Sequence, residues 1–242
     1  MRLSQILEVL NKIHANQPKI SEPYICGGIA RDKLIGAAKA KYNDLDITTG
    51  DASVKQLAEE FAALLGSKFT IQKKVAKDGH VSVKLDKLKV DFSSNFIVPG
   101  IEEMLAKIGI EKPTNLQKEM FSRDFTCNAL LLKFNLRDIE DPTGRGIQDI
   151  NKKIIKTCLD PSSTFTHNVQ RIPRIYYVAA KLGFEVAPEI IEWVKQNPSY
   201  FSQVDSKYTM EKISKAMEYD RERTVRLLDA TDGWQFVPGI AR

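Results

Sequence analysis

The sequence predicts an α/β (α+β) chain, a head with a small mixed sheet and flanking helices followed by an all-α domain. Three observations carry this. Between Tyr24 and Phe92, short apolar runs either stand alone or alternate with polar residues at period 2, the pattern of buried and half-buried strands. Helical periodicity interrupts them at the N-terminus, after Gly28 and after Ser53. From Ser162 onward only helical periodicity remains. A chain of 242 residues can bury one large core or two small ones. The division is placed near Lys156, with a head over 1–156 and a helical domain over 157–242.

Composition narrows the class. Hydrophobic residues make up 43% and charged residues 28%, which suits a folded globular chain rather than a disordered one. The net charge of +5 is compatible with a polyanionic partner. No apolar run approaches the roughly 20 residues that a membrane span needs, so no membrane partner is expected. Cys26, Cys127 and Cys158 are odd in number, scattered and set in apolar segments, which points to reduced thiols and a cytoplasmic location. His14, His80 and His167 do not cluster.

Taken in order, the chain opens on an amphipathic helix with Leu3, Ile6, Leu7, Leu10 and Ile13 on one stripe, not a signal peptide. Tyr24-Ile25-Cys26 reads as a buried strand. After Gly27 and Gly28, the spacing of Ile29, Ala30, Leu34 and Ile35 predicts a helix, with Gly36 at its C-cap. Asn43 to Thr48 alternates as a strand. Ser53 to Leu65 is a helix with Val54, Leu57, Ala58, Phe61, Leu64 and Leu65 as its stripe. Strands are expected from Phe69 to Val75, His80 to Leu85 and Leu88 to Phe92, with turns at Asp78-Gly79 and Asp86-Lys87. Ser94 to Gln117 carries little pattern beyond a helix over Ile101 to Ile108, and the rest of that zone is expected to be poorly ordered. Leu131 to Phe134 and Arg137 to Glu140 pair as strands. Asp141 to Ile150, rich in glycine, reads as a turn by composition and, as a joint between two lobes, as a hinge. A helix is expected to begin near Arg171, with Pro173 in its first turn. Further helices follow over Pro188 to Gln196, Thr209 to Tyr219 and Arg221 to Asp229.

The chemistry gathers in Tyr24 to Thr49. Strand alternation puts Asp44 and Asp46 on one face, about 7 Å apart along the strand. Two such carboxylates repel unless a cation lies between them, and oxygen-only ligands suit Mg²⁺, which takes one or two carboxylates plus substrate phosphates. Gly27 and Gly28, at a strand-to-helix turn, let backbone N–H groups approach an anion. The stretch therefore offers a triphosphate cradle and a metal anchor together. Asp91, on a neighbouring predicted strand, is placed to bring a third carboxylate. Arg123 can reach a phosphate or ribose oxygen. Asp124 and Asn128, four apart, would share a face if helical and hydrogen-bond a ribose hydroxyl.

These residues resemble a known family. Gly27-Gly28-Ile29-Ala30-Arg31-Asp32 with Asp44-Leu45-Asp46 is similar to the head of the class II nucleotidyltransferases of the DNA polymerase beta superfamily. These are the CCA-adding tRNA nucleotidyltransferases and the bacterial poly(A) polymerases. Phe121 to Leu130 resembles the family's second motif, with Ser122 in place of an arginine and Glu119 where an aspartate is usual. Asp141 to Ile150 resembles the third, with Arg145 disturbing its glycine pair. Phe165 to Phe184 resembles the first neck helix, matching at Arg171, Arg174, Ala179, Ala180, Leu182, Gly183 and Phe184. His167 and Asn168 stand where the family has Glu and Asp.

The resemblance implies a nucleotidyltransferase head and a helical neck without the body and tail that follow in full-length relatives. It implies Mg²⁺ at Asp44 and Asp46, with Asp91 a further catalytic acid. Gly27, Gly28 and Arg31 would bind triphosphate while Asp32 braces their loop. Arg123, Asp124 and Asn128 would sense ribose. Asn168, Arg171 and Arg174 would face the base or triphosphate. The implied activity is transfer from CTP or ATP to an RNA 3′ end, with tRNA the leading acceptor. Tailing of another RNA by a poly(A) polymerase-type reaction is the alternative, as is a relative that holds nucleotide or RNA without turnover.

Overall fold

The computed structural model describes residues 3–37, 42, 44–66, 71–75, 80–85, 88–93 and 97–241. Asn43, Phe69 and the turns expected at Asp78-Gly79 and Asp86-Lys87 lie outside the described residues. The chain forms two compact units, Met1–Ser122 with Asn128–Thr143, and Arg123–Cys127 with Gly144–Arg242.

In the first unit the order is α1 (Leu3–Asn16), β1 (Tyr24–Cys26), α2 (Gly28–Leu34), β2 (Asp44–Thr48), α3 (Ser53–Gly66), β3 (Ile71–Val75), β4 (Val81–Leu85), β5 (Leu88–Phe92), α4 (Ile101–Ala106), α5 (Asn115–Phe121), β6 (Leu131–Leu132) and β7 (Ile139–Glu140). The strands make one mixed sheet in the order β3-β4-β5-β2-β1-β6-β7. β2 and β5 run parallel, and the other pairs are antiparallel. Alternation aims Leu45, Ile47, Val83, Val90 and Phe92 into the core, all fully buried. Phe61 of α3 packs there, its ring centroid 5.4 Å from that of Phe92. Each such side chain stabilises the fold by about 1.5–3 kcal/mol relative to exposure. α1 buries Ile6, Leu7, Leu10 and Ile13 and packs on α3. Gly36, with φ of 71°, stands just past α2 as expected of a helix C-terminus.

Several expectations are corrected here. Leu64 is 42% exposed, and Ala62 takes its place on the buried stripe of α3. At the end of the zone expected to be poorly ordered α5 begins, started by a capping box in which Thr114 accepts from Gln117 N and Gln117 accepts from Thr114 N. No helix joins Asp124 to Asn128. Phe125 forms an antiparallel bridge with Thr157, and Thr126–Asn128 is a 3₁₀ turn. Asp124 and Asn128 fall in different units.

The second unit runs α6 (Gly146–Asn151), β8 (Ile154–Ile155), α7 (Pro161–His167), α8 (Ile172–Leu182), β9 (Glu185–Val186), α9 (Pro188–Gln196), α10 (Pro198–Phe201), α11 (Ser206–Tyr219) and α12 (Arg221–Ala230). It is helical except for β8 and β9, a two-residue parallel ladder that the helical pattern concealed. That ladder ties Ile154 and Ile155 to residues beyond 184, so 144–156 group with the helices that follow. Pro173 lies in the first turn of α8, as expected. Asp160, Asp205 and Asp220 cap α7, α11 and α12 by accepting from Ser163 N, Tyr208 N and Arg223 N at 2.8–2.9 Å. Tyr176 is buried at the centre and hydrogen-bonds Thr231 at 2.6 Å. Among the described residues no helix is long and apolar enough to cross a membrane.

Candidate active site

The first unit builds its site on β2. Leu45 and Ile47 are locked into the core, so Asp44 and Asp46 are turned outward, both exposed. The far end of this strand is braced, since Thr48 Oγ1 donates to the buried Glu119 Oε2 of α5 at 2.5 Å. In the antiparallel register, Tyr24 pairs with Thr48 and Ile25 with Ile47, which carries Cys26 opposite Asp46. Cys26 Sγ lies 3.7 Å from Asp46 O. The glycine turn that ends β1 is thereby set beside the start of β2, where the two carboxylates stand.

Gly27 has φ 77° and ψ −134°, a conformation that only glycine holds without strain. A Cβ on Gly28 would meet only the Arg31 guanidinium, at 3.4 Å, an ordinary van der Waals contact. Gly27→Ala is therefore expected to cost about 1–3 kcal/mol in a denaturant titration, and Gly28→Ala less than about 1. Equal costs for the two would show that the turn does not depend on Gly27's backbone.

Arg31 is buried. Its Nε and Nη2 donate to Asp32 Oδ1 at 3.0 and 2.7 Å, and its Nη1 donates to Asn128 Oδ1. Two residues expected at the nucleotide, Arg31 and Asn128, are thus joined to each other behind the turn.

Asp91 is the register partner of Asp46 across the parallel β2–β5 pair. Its carboxylate lies 3.1 Å from His80 Nε2, accepts from Ser82 Oγ at 2.5 Å and pairs with Lys89 Nζ at 2.6 Å. Burial works against the charge, but the hydrogen bonds from His80, Lys89 and Ser82 outweigh it and hold Asp91 down at about 2. The sequence reading missed His80, Ser82 and Lys89. Period 2 on β4 and β5 was the available signal, because Ser82 pairs with Asp91. Among the described residues no group of three or more His, Cys, Asp or Glu is disposed to hold a metal. The donor set the strand offers is the Asp44–Asp46 pair, exposed and oxygen-only, which fits a hard divalent cation.

The second unit holds the other candidates. Asp124 is buried, and its Oδ2 accepts from Arg174 Nε at 2.7 Å and pairs with Nη2 at 2.6 Å. Its Oδ1 accepts from Phe125 N at 2.8 Å. Burial again opposes ionisation, yet the charges of Arg174 and Arg171 hold Asp124 at about 2. In return, Asp124 pushes the Arg174 guanidinium above its ordinary value. Arg171 is buried, which lowers its value, and donates to Thr164 O at 3.3 Å. Asn168 Oδ1 accepts from Gln170 N at 3.0 Å, capping the 3₁₀ turn that carries Arg171. Arg123 is half-buried.

The profile of the Poly A polymerase head domain matches residues 23–156. The chain belongs to this family. It is a family of nucleotidyltransferases, which generally use divalent metal ions. The mitochondrial CCA tRNA nucleotidyltransferase of Saccharomyces cerevisiae is 26% identical over 238 residues, covering 89% of this chain and 41% of the yeast protein. A CCA-adding enzyme of Bacillus pumilus is 28% identical over 225 residues, covering 91% of this chain and 52% of that one. The chain thus spans about half the length of the curated relatives it matches. The crystal structure of the Bacillus stearothermophilus CCA-adding enzyme in complex with CTP superposes with a TM-score of 0.72 at 23% identity, covering 97% of this chain and 53% of that one. At that identity the likeness establishes the fold, a mixed-sheet head followed by a helical neck.

Proposed function

We propose that this family member is an RNA 3′-nucleotidyltransferase of the CCA-adding type. It would join the nucleotidyl group of CTP or ATP to the 3′-hydroxyl of a tRNA and release pyrophosphate. The observation that carries this reading is the exposed Asp44–Asp46 pair beside the glycine turn that ends β1. The names of the relatives supply the acceptor class.

We assign Mg²⁺ to Asp44 and Asp46; when bound, it supplies Lewis-acid activation of the attacking hydroxyl and charge neutralisation for the triphosphate. Gly27 and Gly28 leave the backbone open to phosphate oxygens, and Arg31, clamped by Asp32 and Asn128, holds that turn in shape. Asp91, the register partner of Asp46, is kept anionic by Lys89, His80 and Ser82 and is taken as the further catalytic acid. In the second unit, Arg123 and the Asp124–Arg174 pair are assigned to ribose and phosphate, and Asn168 with Arg171 to the base. With its oxygen occupied by Gln170 N, Asn168 has its amide hydrogens left to offer as donors. We take residues 1–156, where the family match ends, as the catalytic head and 157–242 as the neck, with 144–156 grouped by their contacts with the second unit. The cytoplasm is the compartment proposed, because Cys26, Cys127 and Cys158 are all buried thiols outside any disulfide.

The test is incubation of the protein with Mg²⁺, one labelled nucleoside triphosphate at a time, and a tRNA transcript lacking its terminal CCA. Extension by CTP and ATP is the expected result. Extension of unrelated RNA by ATP alone would replace the CCA reading with poly(A)-type tailing. Nucleotide binding without any extension would leave a holding module.

A further inference from the structure

We infer that the facing sides of α8 and α11 form a seat for a single-stranded RNA segment. Arg174, Tyr177 and Lys181 recur at helical spacing along one side of α8. Tyr208, Lys212, Lys215 and Tyr219 do so along α11, and the two helices pack together. Where these sides meet, rings and cations alternate. Lys212 Nζ lies 4.9 Å from the Tyr208 ring centroid and 5.6 Å from that of Tyr177. Lys181 Nζ lies 5.8 Å from Tyr177, and Tyr219 meets Tyr177 edge-on at 5.9 Å and 68°. At the other end, Tyr208 lies near Arg174, the partner of Asp124. From Tyr208 to Tyr219 the stripe runs about 16 Å at the rise of an α-helix.

Helix packing explains part of this pattern. The interior of the second unit is supplied by Ile175, Tyr176, Ile213 and Ala216, all buried. Tyr177 and Tyr208 are half-buried at the rim of the helix pair. Tyr219 is not accounted for by packing, since it stands 53% exposed at the end of a row of lysines. Glu211 offsets part of the charge, pairing with Lys212 at 3.3 Å and Lys215 at 2.8 Å on the solvent flank. A row of one exposed and two half-buried rings with ammonium groups between them suits unpaired nucleotides. Bases stack on the rings whatever their identity, and the cations meet phosphates and ring faces. A duplex, whose bases are already stacked on one another, cannot use the rings in this way.

The choice of RNA rests on the transferase reading, but binding can be measured without nucleotide or turnover. The experiment is fluorescence anisotropy of a 5′-labelled single-stranded oligoribonucleotide titrated with the full chain and with Tyr219→Ala, Tyr219→Phe and Lys181→Ala. Tyr219→Ala should weaken binding by about fivefold or more, with Tyr219→Phe within about twofold of wild type. Lys181→Ala should lower the slope of log affinity against log salt by about 0.7. Unchanged melting temperatures show that the variants fold. Equal affinity for wild type and Tyr219→Ala, or equal affinity for a blunt duplex of the same length, overturns the seat. A wild-type protein that binds through Tyr219 yet extends no RNA sinks the transferase reading and keeps the seat. One that extends tRNA and is indifferent to Tyr219→Ala does the reverse.

Discussion

Asp46→Ala, and separately Asp44→Ala, is expected to cut nucleotide transfer by on the order of 10³-fold, because a metal at a phosphoryl-transfer site contributes several kcal/mol. The fold should survive. Both side chains are exposed on β2, while the strand is held by Leu45 and Ile47 in the core and by Thr48 on Glu119. Surface changes of this kind usually alter stability by no more than about 0.5 kcal/mol. Asp91, the register partner of Asp46, is already paired with Lys89, so removing the exposed Asp46 charge should leave the melting temperature nearly unchanged. Added Mg²⁺ should then raise the melting temperature of wild type but not of Asp46→Ala, because an ion that binds only the folded chain stabilises it by mass action. Label incorporation and thermal melting with and without Mg²⁺ check both halves. Activity within about tenfold of wild type in both variants would remove the carboxylate pair from the chemistry.

What was legible in the sequence was what local pattern controls. α1, α3 and the strands of the sheet declare themselves because each must hide one face, and the same alternation that buries Leu45 and Ile47 exposes Asp44 and Asp46. α5 was also written there, as Thr114 three residues before Gln117, but a seven-residue helix is too short to show a stripe. The β8–β9 ladder had no local signal, since each strand is two residues long and its partner lies some thirty residues away. The same holds at the site. Arg31 could be marked as an anion binder through the family resemblance, yet Asn128, which accepts from it, is 97 positions distant. Asp91 could be placed on a strand, but the three groups that set its charge come from the residue before β4, from β4 and from β5 itself. Side-chain type predicted which chemistry was present; pairing across the chain decided which groups it was spent on.

Asp124 shows the energetic consequence of such pairing, and Asp124→Ala is expected to destabilise the second unit by about 3 kcal/mol, the low end for breaking a buried ion pair. The variant would leave Arg171 buried with its opposing charge gone, and Arg174 without the carboxylate that binds its Nε and Nη2. The low end applies because the Arg174 side chain is 35% exposed and can turn to water. Asp124→Asn keeps the shape and the contact with Phe125 N but not the charge, so it should fall between. The loss should depend on pH in one direction. Asp124 titrates at about 2 in the fold and near 3.9 in an unfolded chain, so its contribution is complete above about pH 4 and disappears as pH falls towards 2. The gap between wild type and Asp124→Ala should therefore be full at neutral pH and close across that acid window. Trp193 and Trp234, the two tryptophans of the chain, both lie in the second unit and report its unfolding in urea. Asp91 titrates over the same range, but its unit has no tryptophan and stays silent in that signal. A urea midpoint for Asp124→Ala that matches wild type at neutral pH would mean that Arg171 and Arg174 find equal stabilisation elsewhere.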